Sequence, residues 1–226
     1  MRRYIFAVIL GLAGIAILVS LGVWQLKRLE WKEAILAVIE AKITTTPVPL
    51  SALGAPEPQR DRYLPVTASG HTTGEEILVL SGSKEQGPGY EIIAAFETAE
   101  GRRILLDRGL VSEAAKDQAR PPVALTVTGN LAWPDESDSY TPPPDQASNL
   151  WFARDVDAMA KNLKTDPVLV VIRSAEGDSQ AILPVPVDTA GIPNDHLSYA
   201  ITWFSLAAVW AGMTGYLLWR IRKKTA

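Results

Sequence analysis

YIFAVILGLAGIAILVSLGVWQL, residues 4–26, and LSYAITWFSLAAVWAGMTGYLLW, residues 197–219, decide the architecture, because neither contains a charged side chain. Each run is about 23 residues, or about 34 Å of α-helix at about 1.5 Å per residue. A bilayer's hydrocarbon core is about 30 Å thick and needs about 20 apolar residues, so both runs are long enough to span it with some tilt. A helix in a soluble core rarely runs this far without one charge. The sequence therefore predicts a membrane protein with an N-terminal and a C-terminal transmembrane helix flanking one domain. The expected division is 1–3 cytoplasmic, 4–26 transmembrane, 27–196 periplasmic domain, 197–219 transmembrane and 220–226 cytoplasmic.

Charge sets the expected orientation. Arg2 and Arg3 precede the first run, and Arg220, Arg222, Lys223 and Lys224 follow the second. Two spans put both termini on one side, and flanking cations favour the cytoplasmic side. Against 25 acids, the remaining Lys and Arg leave the intervening region with a net charge of about −9. Lys27, Arg28 and Lys32 lie just outside the first run and oppose the rule locally, but the two tails agree. A cleaved signal peptide has a shorter apolar segment followed by small residues, whereas this run passes straight into Val23-Trp24-Gln25-Leu26. The first helix is thus expected to stay as an anchor. With no Arg- and Ser-rich transit segment ahead of it, the expected location is a bacterial inner membrane.

Between the runs the pattern changes. Helix is expected to continue past residue 26, with Leu29, Leu36, Ile39 and Ile43 near one face, until Pro47 and Pro49 stop it. Residues 50–60 read as a surface loop. Tyr63-Leu64-Pro65-Val66-Thr67-Ala68 reads as an edge strand because of its proline, followed by a strand at 77–80. A turn is expected at Gly87-Pro88-Gly89, then strands at 90–96 and 103–106 joined through Glu100-Gly101-Arg102, the second closed by Asp107-Arg108-Gly109. A further strand at 123–129, a proline-rich loop at 134–149, a short helix at 155–163 capped by Asp155 and a last strand at 168–172 complete the domain. The prediction is a mainly antiparallel β domain (α+β) that is able to close into a barrel.

Little of this points to catalysis. Cysteine is absent, which excludes disulfides, thiolate metal sites and a Cys–His pair. The three methionines are scattered, so soft copper ligation lacks a ligand set. A Ser–His–Asp triad would have to use His71, which sits in the turn-like Ser69-Gly70-His71-Thr72-Thr73-Gly74 without a nucleophile elbow. Phosphate loops, dinucleotide fingerprints and basic nucleic-acid patches are missing. The chain is expected not to be an enzyme and not to bind nucleic acid; its surroundings are the lipid bilayer.

The informative side chains lie where the two runs meet the outer membrane surface. His196 begins the second run, Tyr199 and Trp203 follow on the same helical side, and Thr202 and Trp210 continue it. An antiparallel first helix brings Trp24, Gln25, Arg28 and Trp31 to similar depth. Imidazole, guanidinium and indoles together suit a haem: a nitrogen ligand for iron, a cation for a propionate and flat faces for the macrocycle. Tryptophan and tyrosine also gather at membrane interfaces with no ligand at all, so position alone leaves both readings open.

The residues at these edges carry a resemblance. Leu21-Gly22-Val23-Trp24-Gln25-Leu26-Lys27-Arg28-Leu29-Glu30-Trp31-Lys32 and Asn194-Asp195-His196-Leu197-Ser198-Tyr199-Ala200-Ile201-Thr202-Trp203-Phe204 closely resemble the two signatures of the Surfeit-locus protein 1 family. Gly87 to Gly89, Asp107-Arg108-Gly109, Trp151 and 155–160 fall in the expected order between them, so the resemblance covers nearly the whole chain. It implies an assembly factor for the haem–copper terminal oxidase, cytochrome c oxidase. Bacterial members are thought to bind haem a and to help insert it into the catalytic subunit, and haem a synthase is a further implied partner. Carried onto this sequence, the family's histidine is His196, the iron ligand and the expected metal contact. Trp24, Gln25, Arg28, Tyr199 and Trp203 match signature positions and are expected to line the haem or the oxidase subunit. The alternative is a scaffold that stabilises an oxidase subunit without binding haem. Asp195 departs from the family's asparagine, and is expected either to hydrogen-bond the imidazole or to cap the helix. His71 has no family counterpart and is given no role.

Overall fold

The computed structural model describes residues 2–83, 87–145 and 147–225. Met1 and Ala226, at the outer ends of the expected tails, and Gln146, in the expected 134–149 loop, lie outside the described residues. The chain forms two compact units, residues 1–38 with 189–226, and residues 39–188.

The first unit is a pair of helices, α1 (Arg2–Ile43, whose last residues belong to the second unit) and α4 (His196–Thr225). Both are long and apolar enough to cross a membrane. On α1 the buried positions are Ala7, Gly11, Gly22 and Gln25, with Gly14 and Leu18 partly buried between them. On α4 they are Ala200 and Ala207, with Phe204, Thr214 and Leu218 partly buried. Steps of three and four residues make each set a single seam. The seams run antiparallel: Gly11 lies against Thr214, Gly14 against the Trp210 indole and Gly22 against the Phe204 ring. Small residues allow this approach, which in lipid must come from packing and hydrogen bonds because lipid tails are as apolar as leucine. One such bond runs from Trp210 Nε1 to the Gly11 carbonyl at 3.2 Å.

The second unit is a five-stranded barrel with additions. Its strands are β2 (Pro65–Ser83), β3 (Gly87–Thr98), β4 (Arg103–Ser112), β5 (Ala124–Ala132) and β7 (Leu169–Gly177), in the ring order β2-β3-β4-β7-β5 and back to β2. All ladders of the ring are antiparallel except β4–β7, which is parallel. Two-residue strands β1 (Val48–Pro49) and β6 (Leu150–Trp151) add parallel bridges to β2. The ring closes because β2 serves two ladders. Residues 65–71 pair with β5 and residues 70–83 with β3, and the register shifts between Thr72 and Glu76, where Gly74 has φ +84°. A bulge of this kind bends a strand around a corner.

Several expected elements are redrawn. The edge strand at 63–68 and the strand at 77–80 are one strand, paired on both sides. Pro65 is tolerated as its first residue, where no ladder N–H is needed. Gly87-Pro88-Gly89 is not a turn but the start of β3, paired with 81–83. Asp107-Arg108-Gly109 does not close a strand and lies inside β4. There Gly109 has φ +110°, and a Cβ would strike the backbone of Leu183, whose carbonyl accepts from Leu110 N at 2.8 Å. The 50–60 loop contains a 3-10 turn at Leu50–Ala52 and the start of α2 (Pro58–Asp61). The turn at 99–102 forms, with Thr98 N donating to Arg102 O at 2.8 Å.

Phe96, Ile93, Ile104, Leu105, Leu131 and Leu169 are fully buried in the main core. Each such side chain contributes about 1.5–3 kcal/mol over an exposed one. α3 (Val156–Leu163) joins this core through Val156, Met159, Ala160 and Leu163, the i, i+3, i+4, i+7 face of an amphipathic helix. Asp155 caps it as expected, accepting from Ala158 N at 3.0 Å. At the other end of the helix Lys164 takes a left-handed conformation.

Candidate functional site

The helix pair brings together two of the residues singled out from the sequence. Gln25, one turn beyond the Gly22–Phe204 contact, is only 8% exposed. Its Oε1 lies 2.8 Å from His196 Nδ1. Among the described residues His196 Nε2 has no hydrogen-bond partner, and the ring itself is half-buried. Asp195 does not take the place beside the imidazole that the sequence offered it. Its main-chain carbonyl accepts from Tyr199 N at 3.1 Å, and Gln25 holds the ring. The preceding Asn194 keeps a buried Oδ1 without a donor among the described residues.

Among the described residues, none of the remaining signature side chains hydrogen-bonds to this pair. Arg28 stacks on the Trp31 ring, its guanidinium carbon 3.9 Å from the centroid. Trp24 and Tyr199 are more than half exposed, and Trp203 is partly buried. No hydrogen bond or ring contact among the described residues joins Trp24, Tyr199 or Trp203 to His196. The helix pair thus carries a half-buried imidazole held by an amide, exposed aromatics at nearby sequence positions, and one cation held over an indole. Chemically it offers one free nitrogen lone pair, flat apolar faces and a positive charge. Deeper in the pair, a cavity of about 340 Å³ is lined by Ala7, Leu10, Gly11, Trp210, Met213 and Thr214 among others, and is almost entirely apolar.

The barrel holds a polar cluster that the sequence did not expose. Arg154 Nη1 lies 3.1 Å from both Glu91 Oε2 and Asp107 Oδ2, and Arg154 also pairs with Glu136. Ser81 Oγ donates to Glu91 at 2.8 Å, and Gly109 N donates to Asp107 at 3.0 Å. Burial, and then the neighbouring Glu91 charge, push the Asp107 carboxyl up to about 7, against the pull of Arg154. Burial alone would raise Glu136 too, but its bond to Arg154 holds it below the usual carboxylate range. Burial works against the Arg154 charge as well, yet the surrounding carboxylates keep it protonated. The cluster ties β3, β4 and the 134–149 loop together. Nothing in the sequence marks it, because Glu91, Asp107, Glu136 and Arg154 are far apart in the chain. His71, by contrast, is exposed at the surface, its Nε2 3.6 Å from Glu97.

In chain order, a closed β-barrel lies between two apolar helices long enough to cross a membrane, and the signature residues Gln25 and His196 pair at one end of the helix pair. Residues 12–208 match the SURF1 family. A SURF1-like protein of Rickettsia bellii is 30% identical over 207 residues, 85% of this chain and 82% of that protein. Surfeit locus protein 1 of Rattus norvegicus is 26% identical over 226 residues, 89% of this chain and 71% of that one. A SURF1-like protein of Monosiga brevicollis is 29% identical over 217 residues, 88% and 82% respectively. The chain belongs to the SURF1 family, which is known for cytochrome oxidase assembly factors rather than enzymes.

Proposed function

We propose that the chain serves assembly of a haem–copper oxidase by holding haem a at one end of its helix pair, with His196 as the iron ligand, and passing it to the catalytic subunit. The observation that carries this reading is the imidazole itself: half-buried, held at Nδ1 by Gln25, and with no hydrogen-bond partner at Nε2 among the described residues. The residues fit the group in kind. Imidazole is an established axial ligand of haem iron, which supplies the redox-active centre that the oxidase needs. Arg28 offers a guanidinium for a propionate, and Trp24, Tyr199 and Trp203 offer faces for the macrocycle. An open aromatic rim suits temporary custody, since a cofactor meant for transfer must leave again. In this reading the termini are cytoplasmic, the barrel is periplasmic at a bacterial inner membrane, and haem a synthase is the supplying partner.

The outward exposure of Trp24 and Tyr199 favours a second reading, in which the rim seats an oxidase subunit and no haem is held. Exposed aromatics at a membrane edge are good anchors for a protein partner. Co-expression with the haem a pathway, purification in detergent and reduced-minus-oxidised spectra beside His196→Ala separate the two. A haem signal that vanishes or shifts in the variant is the expected result. A wild-type protein free of haem, with pathway loading verified, selects the scaffold.

A further inference from the structure

We propose that Gln25 is the positioning residue that fixes the tautomer of His196, placing the proton on Nδ1 and leaving Nε2 as the only nitrogen able to meet a ligand. The identity of that ligand as haem rests on the reading above; the tautomer does not.

The argument starts from what an amide oxygen can do. A carbonyl oxygen accepts and never donates, so with Gln25 Oε1 at 2.8 Å the hydrogen must sit on His196 Nδ1. A neutral imidazole carries one N–H, and its lone pair is then on Nε2. Free imidazole side chains in water favour the opposite arrangement, so the fold must impose this one. It does so by burial. Gln25 is enclosed in the seam between the helices, where an unpaired amide would cost about 1–3 kcal/mol. Rotating the imidazole away would leave that oxygen without a donor, and moving its proton to Nε2 would force the enclosed amide to turn over.

The sequence places the two residues for this purpose. Gln25 follows the small-residue seam of Ala7, Gly11, Gly14 and Gly22, which brings α1 close enough to α4 for a short side chain to reach the ring. His196 is the first residue of α4, one turn before the buried Ala200 on the same seam. Gln25 is also neutral. A carboxylate in its place would draw the Nδ1 proton and load negative charge onto the ring, making Nε2 a stronger donor to a metal. An amide orients the ring with a milder effect, which fits a site that must release its ligand. Asp195, the nearest carboxylate in sequence, is not hydrogen-bonded to the ring.

The test uses the full chain without haem, in lipid nanodiscs, labelled with nitrogen-15 histidine. With only two histidines in the chain, His196→Ala assigns the spectrum. The expected result, recorded at a pH well above the ordinary histidine range, is a His196 ring with its hydrogen on Nδ1 and a bare Nε2. Gln25→Leu moves the ring toward the Nε2–H form, and Gln25→Glu restores the Nδ1–H form. A wild-type ring protonated on Nε2, or a ring unmoved by Gln25→Leu, overturns the proposal. With haem a added, Gln25→Leu lowers retention about 10–100-fold, and Gln25→Glu binds but shifts the midpoint potential downward. The expected tautomer in a protein that never takes haem a upholds the role of Gln25 and defeats the haem reading alone.

Discussion

The helix pair and the barrel both depend on close approach, but through different atoms. In the helix pair, side chains added at Gly11, Gly14 and Gly22 would meet other side chains: Thr214, Trp210 and Phe204. In the barrel, additions at Gly70, Gly89 and Gly129 would meet backbone carbonyls of Glu97, Val111 and Val171. The first surface is held by side-chain fit along one seam, and the second by a closed hydrogen-bonded ring with a filled interior. Polar groups follow the same division. The helix pair buries one neutral amide and orients one imidazole with it. The barrel sets a half-buried guanidinium among three carboxylates, two of them buried. One unit is therefore tuned by shape, and the other is also tuned by charge.

Three perturbations test that division, in order of expected size. Arg154→Met strips the buried Glu91 and Asp107 of their cation and should cost the barrel about 3–5 kcal/mol, read by denaturant unfolding of the full chain in detergent. It should leave helix association untouched, and a simultaneous loss of both would show that the units are coupled. The second concerns pH. The folded state holds Asp107 up to about 7 against an ordinary value of 3.8, so it keeps a proton that the unfolded chain has released. Barrel stability should fall as pH rises from about 4 to about 7, by at most a few kcal/mol. Asp107→Asn should flatten that slope. A slope unchanged by the substitution would mean that Arg154 keeps the carboxylate ionised. Third, Gly14→Val sets a branched side chain against the Trp210 indole and should weaken helix packing by about 1–3 kcal/mol. Since the chain has no cysteine, crosslinking between Ala7→Cys and Leu218→Cys reports the loss directly. The barrel's unfolding midpoint should not move.

The same division explains what was legible in the sequence. The two spans could be read because an absence of charge over about 23 residues needs no knowledge of neighbours. Strands rich in Val, Ile and Leu could be read for a similar reason. The continuity of β2 could not: Ser69-Gly70-His71-Thr72-Thr73-Gly74 has the composition of a turn, and only pairing with β3 and β5 makes it strand. Asp107-Arg108-Gly109 misleads in the same way, since its burial depends on Arg154 and on residues near 180. At the candidate site, antiparallel spans were enough to place Gln25 and His196 at one depth. They were not enough to choose the partner of the imidazole, for which Asp195 was the nearer candidate along the chain.

The closed ring also has a consequence for biosynthesis. β7 bridges β4 and β5 and ends at Gly177, so the last two ladders form only after most of the chain has been made. Until then β4 and β5 each present an unpaired edge, the kind of surface on which nascent chains associate wrongly. Completion of the barrel is thus tied to a late segment, and His196 follows its end by 19 residues. The order of synthesis therefore delivers the ring before the imidazole.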